Sequence, residues 1–133
     1  MYLDGIRKSA AENGYVETLL GRRRYFYHLQ NPTNHQNQMR EEREAINAPI
    51  QGTAADIMKI AMLQVPEAIK SAGLEVKILL QVHDELVLEC PEQILIETSH
   101  LVQKVMESAY KLAVPLSTDA RFGKNWGDLK TFD

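Results

Sequence analysis

Residues 79–89 read LLQVHDELVLE, in which a His-Asp-Glu group separates two apolar runs. The runs, residues 76–82 and 86–90, are rich in branched apolar side chains, which is typical of β-strands. Two strands joined by so short a segment predict a hairpin. The connection lacks the Asn-Gly or Asp-Gly pair that forms a tight turn easily. The residue types at this turn therefore indicate a requirement other than turn geometry.

The turn brings two carboxylates together. Asp84 and Glu85 are adjacent in sequence, and like charges on a stiff corner repel unless a cation compensates them. Mg²⁺ takes oxygen ligands and is commonly held by one or two carboxylates together with waters and substrate phosphates. His83 adds a hydrogen-bond donor for a phosphate or sugar oxygen. The residues alone leave two interpretations open, a magnesium site or a plain polar turn.

Composition limits the class of protein. The chain has 133 residues, 44% hydrophobic and 25% charged, as expected for one globular domain with one core. No apolar run approaches the ~20 residues that span a bilayer, and no secretory signal is visible. We therefore expect no membrane partner and an intracellular location, cytoplasmic in a bacterium or organellar. Cys90 is the only cysteine, which excludes an internal disulfide.

A long amphipathic helix is predicted over residues 39–65. The apolar residues on its predicted buried face are Ile46, Ile50, Ala54, Ile57, Ala61 and Val65. Pro49 lies inside this run and predicts a kink or a restart. On another line of the helix, Arg43, Asn47 and Gln51 recur every four residues. This line is either an ordinary solvent-exposed face or a row of hydrogen-bonding groups for a ligand.

The rest of the pattern predicts an α+β fold, an antiparallel sheet packed on one side by long helices. The net charge is −3, which argues against bulk electrostatic coating of nucleic acid. In the first half of the chain we predict a helix over residues 2–13 that ends at Asn13-Gly14, a hairpin from residues 15–20 and 24–27 with an arginine-rich tip, and a loop over 28–38. A connecting segment is predicted from Pro66 to Gly73. A second helix is predicted to begin at Pro91, with a buried stripe from Ile94 to Ala109, and a strand is predicted over 116–122.

Three stretches resemble the family A DNA polymerases. QVHDELVLE, residues 81–89, is similar to the family motif whose His-Asp-Glu turn lies in the palm beside the primer terminus. NAPIQGTAADIMK, residues 47–59, resembles the palm helix, and GYVETLLGRRR, residues 14–24, resembles the hairpin before it. They occur in the family's order and spacing. The resemblance extends over about residues 2–126.

The resemblance implies roles at the turn. Asp84 would be a magnesium-binding catalytic carboxylate in a two-metal nucleotidyl transfer, with Mn²⁺ as a possible substitute, and Glu85 a nearby supporting acid. His83 and Gln81 would lie near the terminal nucleotide of the primer. The implied partners are primer-template DNA and deoxynucleoside triphosphates.

The resemblance also implies DNA contacts. Arg43, Asn47 and Gln51 match positions that touch template and primer in the minor groove, where donors check base-pair shape without reading sequence. The three consecutive arginines are expected to position the duplex through its phosphates, although two of them could equally make internal salt bridges. They are Arg22, Arg23 and Arg24.

The family's second catalytic aspartate, in a motif resembling DYSQIELR, does not occur in this sequence, nor does the fingers helix that holds the nucleotide. We therefore expect residues 1–133 to be a C-terminal palm portion, incomplete relative to the family and inactive alone. An incomplete sheet predicts an open edge and self-association through it. The alternatives are a non-catalytic DNA-binding or structural module from a truncated polymerase, or a magnesium-dependent nuclease or phosphatase. The last is disfavoured because no second carboxylate cluster accompanies the turn.

Overall fold

A computed structural model describes residues 2–31 and 34–132. Two compact units divide the chain, residues 1–56 and residues 57–133. The elements are α1 (Tyr2–Asn13), β1 (Tyr15–Glu17), β2 (Arg23–Tyr25), α2 (Tyr27–Gln30), α3 (His35–Ala72), β3 (Lys77–Val82), β4 (Glu85–Glu89), a 3-10 turn (Glu92–Ile94), α4 (Leu95–Glu107), β5 (Arg121–Phe122) and β6 (Lys130–Thr131).

The α+β class is confirmed, but the prediction of a single antiparallel sheet is wrong. Within the described residues the strands form three separate two-stranded antiparallel ladders, β1–β2, β3–β4 and β5–β6. The strand predicted over residues 116–122 shrinks to β5, because only those two residues find a partner strand, β6. In the same part of the chain, no helix is long and apolar enough to cross a membrane.

In the first unit, α1 stops where the sequence predicts. Gly14 has a φ of 75°, and its N–H donates to the carbonyl of Ala10 at 2.9 Å, so a glycine closes the helix in the left-handed conformation. The predicted hairpin follows as β1–β2, with shorter strands and a connection over residues 18–22. The core of this unit consists of Ala10, Val16, Phe26, Leu29, Ala45 and Ala48.

The loop predicted over residues 28–38 is partly helical. It contains most of α2, and α3 begins at His35 rather than at residue 39. The Glu41 side chain accepts hydrogen bonds from the backbone N–H of His28 and Leu29, at 2.8 and 3.1 Å. The carboxylate thus satisfies two free backbone N–H donors of α2, which is a very short helix. Because Glu41 is at least twelve residues from these donors in sequence, local sequence could not reveal this helix.

α3 is continuous through Pro49 and Pro66, so the predicted restart and the connecting segment from Pro66 are wrong. Its single predicted apolar stripe is also wrong in the first unit. There Ile50 is 60% exposed, whereas the small Ala45 and Ala48 are buried. In the second unit the predicted residues are confirmed as buried, namely Ile57, Ala61 and Val65.

The second unit packs β3–β4 on one face only. Leu86 and Leu88 of β4 contact the cluster of Val65, Ile69 and Val102. β3 itself is poorly covered, and its side chains from Ile78 to Leu80 are 37–51% exposed. β3 has one partner strand among the described residues, so an open edge exists as predicted. Self-association through it stays a prediction.

α4 begins at Leu95 after the 3-10 turn, four residues later than predicted. Its predicted inward positions Thr98 and Val102 are buried.

Candidate functional site

The β3–β4 turn is a two-residue loop, His83 and Asp84, between the paired residues Val82 and Glu85. His83 has a φ of 52° and is the one non-glycine residue with positive φ in the described chain. A positive φ at the first loop position alone is the type II′ pattern, which favours glycine there. A non-glycine residue in the left-handed region costs about 1–2 kcal/mol. Such residues concentrate at functional sites, where strain is tolerated.

Hydrogen bonding fixes the same turn. Gln81 Nε2 donates to the carbonyl of His83 at 2.6 Å, which spans the strand end and the loop. The structure therefore brings together all four residues that the sequence analysis placed near the primer end. They are Gln81, His83, Asp84 and Glu85.

The side chains of Asp84 and Glu85 are exposed and make no hydrogen bond or ion pair with any other described residue. Residues 2–31 and 34–132 contain no group of three or more His, Cys, Asp or Glu side chains that could hold a metal ion. One or two carboxylates are, however, what Mg²⁺ takes from a protein when waters and phosphates supply the other ligands. The donor set fits part of a magnesium site, whose other ligands would come from outside these residues.

The first unit carries the polar line of α3. Arg43, Asn47 and Gln51 are all exposed, at the four-residue spacing that places them on one side of α3. Arg43 Nε donates to the carbonyl of Met39 at 3.3 Å. The side-chain amides of Asn47 and Gln51 have no partner among the described residues. These two amides are available to an external ligand.

Each of the three consecutive arginines forms an ion pair with a carboxylate of the same chain. Arg22 Nε lies 2.8 Å from Asp56 Oδ1, and Arg23 Nε lies 2.6 Å from Glu17 Oε1. Arg24 Nη2 lies 2.6 Å from Glu44 Oε2. The sequence allowed two internal salt bridges, and the structure forms three.

Glu44 also accepts from Arg40 Nε at 2.9 Å.

Arg22 ties the β1–β2 connection to α3. Its Nη2 donates to the carbonyl of Gly52 at 3.1 Å, and Leu19 N–H donates to Thr53 Oγ1 at 2.9 Å. A Cβ on Gly52 would lie 2.6 Å from Thr18 Cγ2, so only glycine permits this approach. Sequence reasoning missed the contact because its partners are about thirty residues apart.

A ring stack was also missed. Arg23 Cζ lies 4.4 Å from the centroid of the Tyr15 ring, and the rings of Tyr15 and Tyr25 are 5.6 Å apart. Hydrogen bonds to Glu17 and, to a lesser extent, Tyr25 raise the pKa of Arg23 above its usual value. Arg23 fell in the predicted arginine-rich tip, outside the return strand predicted over residues 24–27, so no strand alternation pointed to this stack.

Comparison with known proteins identifies a family model and curated proteins that are similar to this chain. The family model described as DNA polymerase family A matches residues 1–128. DNA polymerase I of Streptococcus pneumoniae is 47% identical over 129 residues, which are 97% of this chain and 15% of that protein. DNA polymerase I of Geobacillus stearothermophilus is 45% identical over 131 residues, again 97% of this chain and 15% of that protein. The chain thus spans about 15% of the length of these curated relatives.

A solved structure is similar as well. The POL domain of Pol1 from M. smegmatis, in complex with DNA primer-template and dNTP, superposes with a TM-score of 0.81 and 51% sequence identity. The match covers 87% of this chain and 20% of that chain. With a family model that matches almost every residue and a fold shared at this level of identity, the chain belongs to DNA polymerase family A.

Proposed function

We propose that this chain supplies part of the palm of a DNA-directed DNA polymerase, which extends a primer along a template during DNA replication and repair. Its substrates would be primer-template DNA and deoxynucleoside triphosphates. The observation that carries the proposal is the exposed Asp84 beside His83, whose φ is 52°. Strain of this kind persists where function selects for it. The M. smegmatis Pol1 structure, which contains DNA primer-template and dNTP, supports the same substrates.

Asp84 would hold a catalytic Mg²⁺, which Mn²⁺ could replace, with Glu85 close enough to add negative charge. Bound there, the ion would lower the pKa of the primer 3′-hydroxyl and offset charge that develops on the phosphates. The contribution of the protein is to hold the Asp84 carboxylate at the end of a hydrogen-bonded ladder. His83 would donate a hydrogen bond to the terminal nucleotide, and Gln81 fixes the carbonyl of His83.

The unpartnered amides of α3 would donate to the minor groove. Purine N3 and pyrimidine O2 are acceptors in every correct base pair, so N–H donors from Asn47 and Gln51 can test pair shape without reading sequence. Arg43 would add a charged donor on the same face. Arg22–Arg24 already have carboxylate partners, so in this proposal they position DNA indirectly. Arg22 and Arg24 fix the hairpin on α3, and Arg23 links its two strands.

Residues 1–133 would form a palm portion that needs further groups. The motif resembling DYSQIELR and the fingers helix do not occur among them, and two-metal transfer requires carboxylates on more than one segment. We therefore propose that the 133-residue chain alone does not extend primers. Template-dependent extension by the pure chain, lost in Asp84→Asn, would contradict this.

The function is tested by a chimera. The chain replaces the matching residues of a complete family A polymerase, and primer extension is measured with and without Asp84→Asn. Loss of the metal-binding carboxylate should lower the rate by about a thousandfold, since metal stabilisation of the transition state is worth several kcal/mol. Glu85→Gln should lower it less, and Asp119→Asn, at another exposed aspartate, should leave it unchanged. An active chimera that tolerates Asp84→Asn would refute the assignment.

The non-catalytic alternative predicts a different pattern. A DNA-binding or structural module would give a chimera that is inactive even with Asp84 intact, together with duplex binding by the chain that Gln51→Ala abolishes.

A further inference from the structure

One side of the β1–β2 hairpin presents aromatic rings to solvent. Tyr15 pairs with Tyr25 across the ladder, and Glu17 pairs with Arg23. Tyr25 and Tyr27 are 69% and 68% exposed. We call the outward residues Tyr15, Arg23, Tyr25 and Tyr27 the aromatic face.

The backbone holds these rings on one side. Phe26, between the two exposed tyrosines, has extended φ and ψ of −132° and 104° and is 3% exposed. Side chains alternate along an extended segment, so an inward Phe26 places Tyr25 and Tyr27 on the same outward side. Large rings this exposed cover no core of their own, and exposed apolar patches on fixed backbone commonly mark interaction sites.

Arg23 adds a flat guanidinium to this face, with its charge balanced by Glu17. Its guanidinium is stacked at 4.4 Å on the Tyr15 ring and held by Glu17 at 2.6 Å. A planar guanidinium beside tyrosine rings suits a ligand that is itself flat and π-faced. Nucleobases have this chemistry, and base stacking on aromatic side chains is how unpaired strands are commonly bound.

We propose that the aromatic face binds single-stranded nucleic acid by stacking its bases on Tyr25 and Tyr27, beside the Arg23–Tyr15 stack. The inference rests on the proposed function for one point, that a single-stranded template is present. It concerns a surface distinct from the β3–β4 turn and from the polar line of α3.

The test measures binding of the 133-residue chain to a fluorescent dT20 by anisotropy, beside an abasic strand of the same length and charge. Stacking requires bases, so dT20 should bind at least about tenfold more tightly than the abasic strand. Tyr25→Ala and Tyr27→Ala should each weaken dT20 binding about five- to tenfold, whereas Tyr25→Phe should retain it. Tyr2→Ala removes a similarly exposed ring, 63% exposed, from α1 of the same unit and should change nothing.

Equal affinity for dT20 and the abasic strand would overturn the proposal, as would dT20 binding that the Ala variants leave unchanged. Binding of a proline-rich peptide in place of dT20, or a Tyr25-dependent dimer in sedimentation, would assign the face to another partner and overturn it too. The circular-dichroism spectrum of each variant, with Tyr25→Phe as the conservative case, separates a lost contact from a lost fold. Activity of the chimera that depends on Asp84 but not on Tyr25, with no dT20 binding, would refute this inference and leave the proposed function standing.

Discussion

The β1–β2 and β3–β4 hairpins use their charges in opposite ways. In the first, each of three consecutive arginines has a carboxylate 2.6–2.8 Å away. In the second, the carboxylates of Asp84 and Glu85 have no ion-pair or hydrogen-bond partner among the described residues. The first hairpin uses its charges to hold structure, whereas the carboxylates of the second make no such contact.

The two turns also differ in length and in how they are held in place. The β1–β2 connection has five residues, and hydrogen bonds to Gly52 and Thr53 fix it on α3. The β3–β4 turn has two residues, and its first one has a φ of 52°. A strained turn with unpaired carboxylates is costly to stability, so it indicates selection for function. Stability measurements can therefore distinguish structural charges from functional ones.

The largest loss of stability is expected on substitution of Arg22. Arg22→Met leaves the Asp56 carboxylate, 8% exposed, without its guanidinium. The free energy of unfolding of the first unit should fall by about 2–3 kcal/mol, since a buried charge loses a partner that is itself half exposed. Hydrogen exchange of β1 and β2 amides measures this. Arg23→Met is the matched control, because its pair with Glu17 is exposed and worth about 0–1 kcal/mol. Equal effects of the two variants would contradict the assignment of Arg22 as the structural anchor.

Gly52→Ala should act through Thr18. The new methyl would meet Thr18 Cγ2 at 2.6 Å, and overpacking of this kind costs about 1–3 kcal/mol. Thr18→Ser removes that methyl and keeps the hydroxyl that accepts from Arg22 N–H. In a double-mutant cycle measured by urea unfolding, the Ala substitution should cost at least about 1 kcal/mol less in the Ser background. Additive effects would mean that the hairpin does not contact α3 at this point.

His83→Gly should change stability less than the preceding substitutions, and it should increase it. Glycine adopts positive φ freely, so relief of strain should stabilise the second unit by about 0.5–1 kcal/mol, net of the entropy that glycine adds to the unfolded chain. Trp126 is the only tryptophan and reports unfolding of that unit. Asp84→Gly, at a loop position without positive φ, should destabilise instead. In the chimera, His83→Gly should slow extension. Destabilisation by His83→Gly would show that the turn is not strained.

The smallest change is expected for Asp84→Asn in the isolated chain. Removal of one of two adjacent exposed carboxylates should alter the free energy of unfolding by at most about 0.5 kcal/mol. Mn²⁺-induced line broadening at the β3–β4 amides should nevertheless disappear. A loss of stability above about 1 kcal/mol would mean that Asp84 has a structural role.

Local sequence predicted the elements whose causes are local. Asn13-Gly14 ended α1 as expected, and both hairpins formed at the predicted turns. The candidate site residues of the β3–β4 turn were predicted from a motif, and the structure adds the positive φ of His83, which no residue pattern encodes.

The errors came from tertiary packing. Pro49 and Pro66 were expected to interrupt α3, but the contacts of a 38-residue helix can outweigh the loss of a hydrogen bond at each proline. Ile50 was predicted to be buried because it is apolar, whereas burial in the first unit follows the small residues that admit the hairpin. The carboxylate partners of Arg22 and Arg24 lie 34 and 20 residues away. No periodicity could have identified them.

The paired arginines have a consequence for how affinity for DNA depends on ionic strength. Five arginines lie in residues 22–43, and in the described chain Arg43 is the one among them without a carboxylate partner. A free cation that neutralises a DNA phosphate releases counterions condensed on the DNA, whereas a cation already neutralised by a carboxylate displaces few of them. The logarithm of duplex affinity should therefore fall with the logarithm of salt concentration with a slope near about −1, rather than the roughly −4 to −5 that five free arginines would give. This part of the chain would hold DNA by shape and hydrogen bonding, with little attraction at a distance.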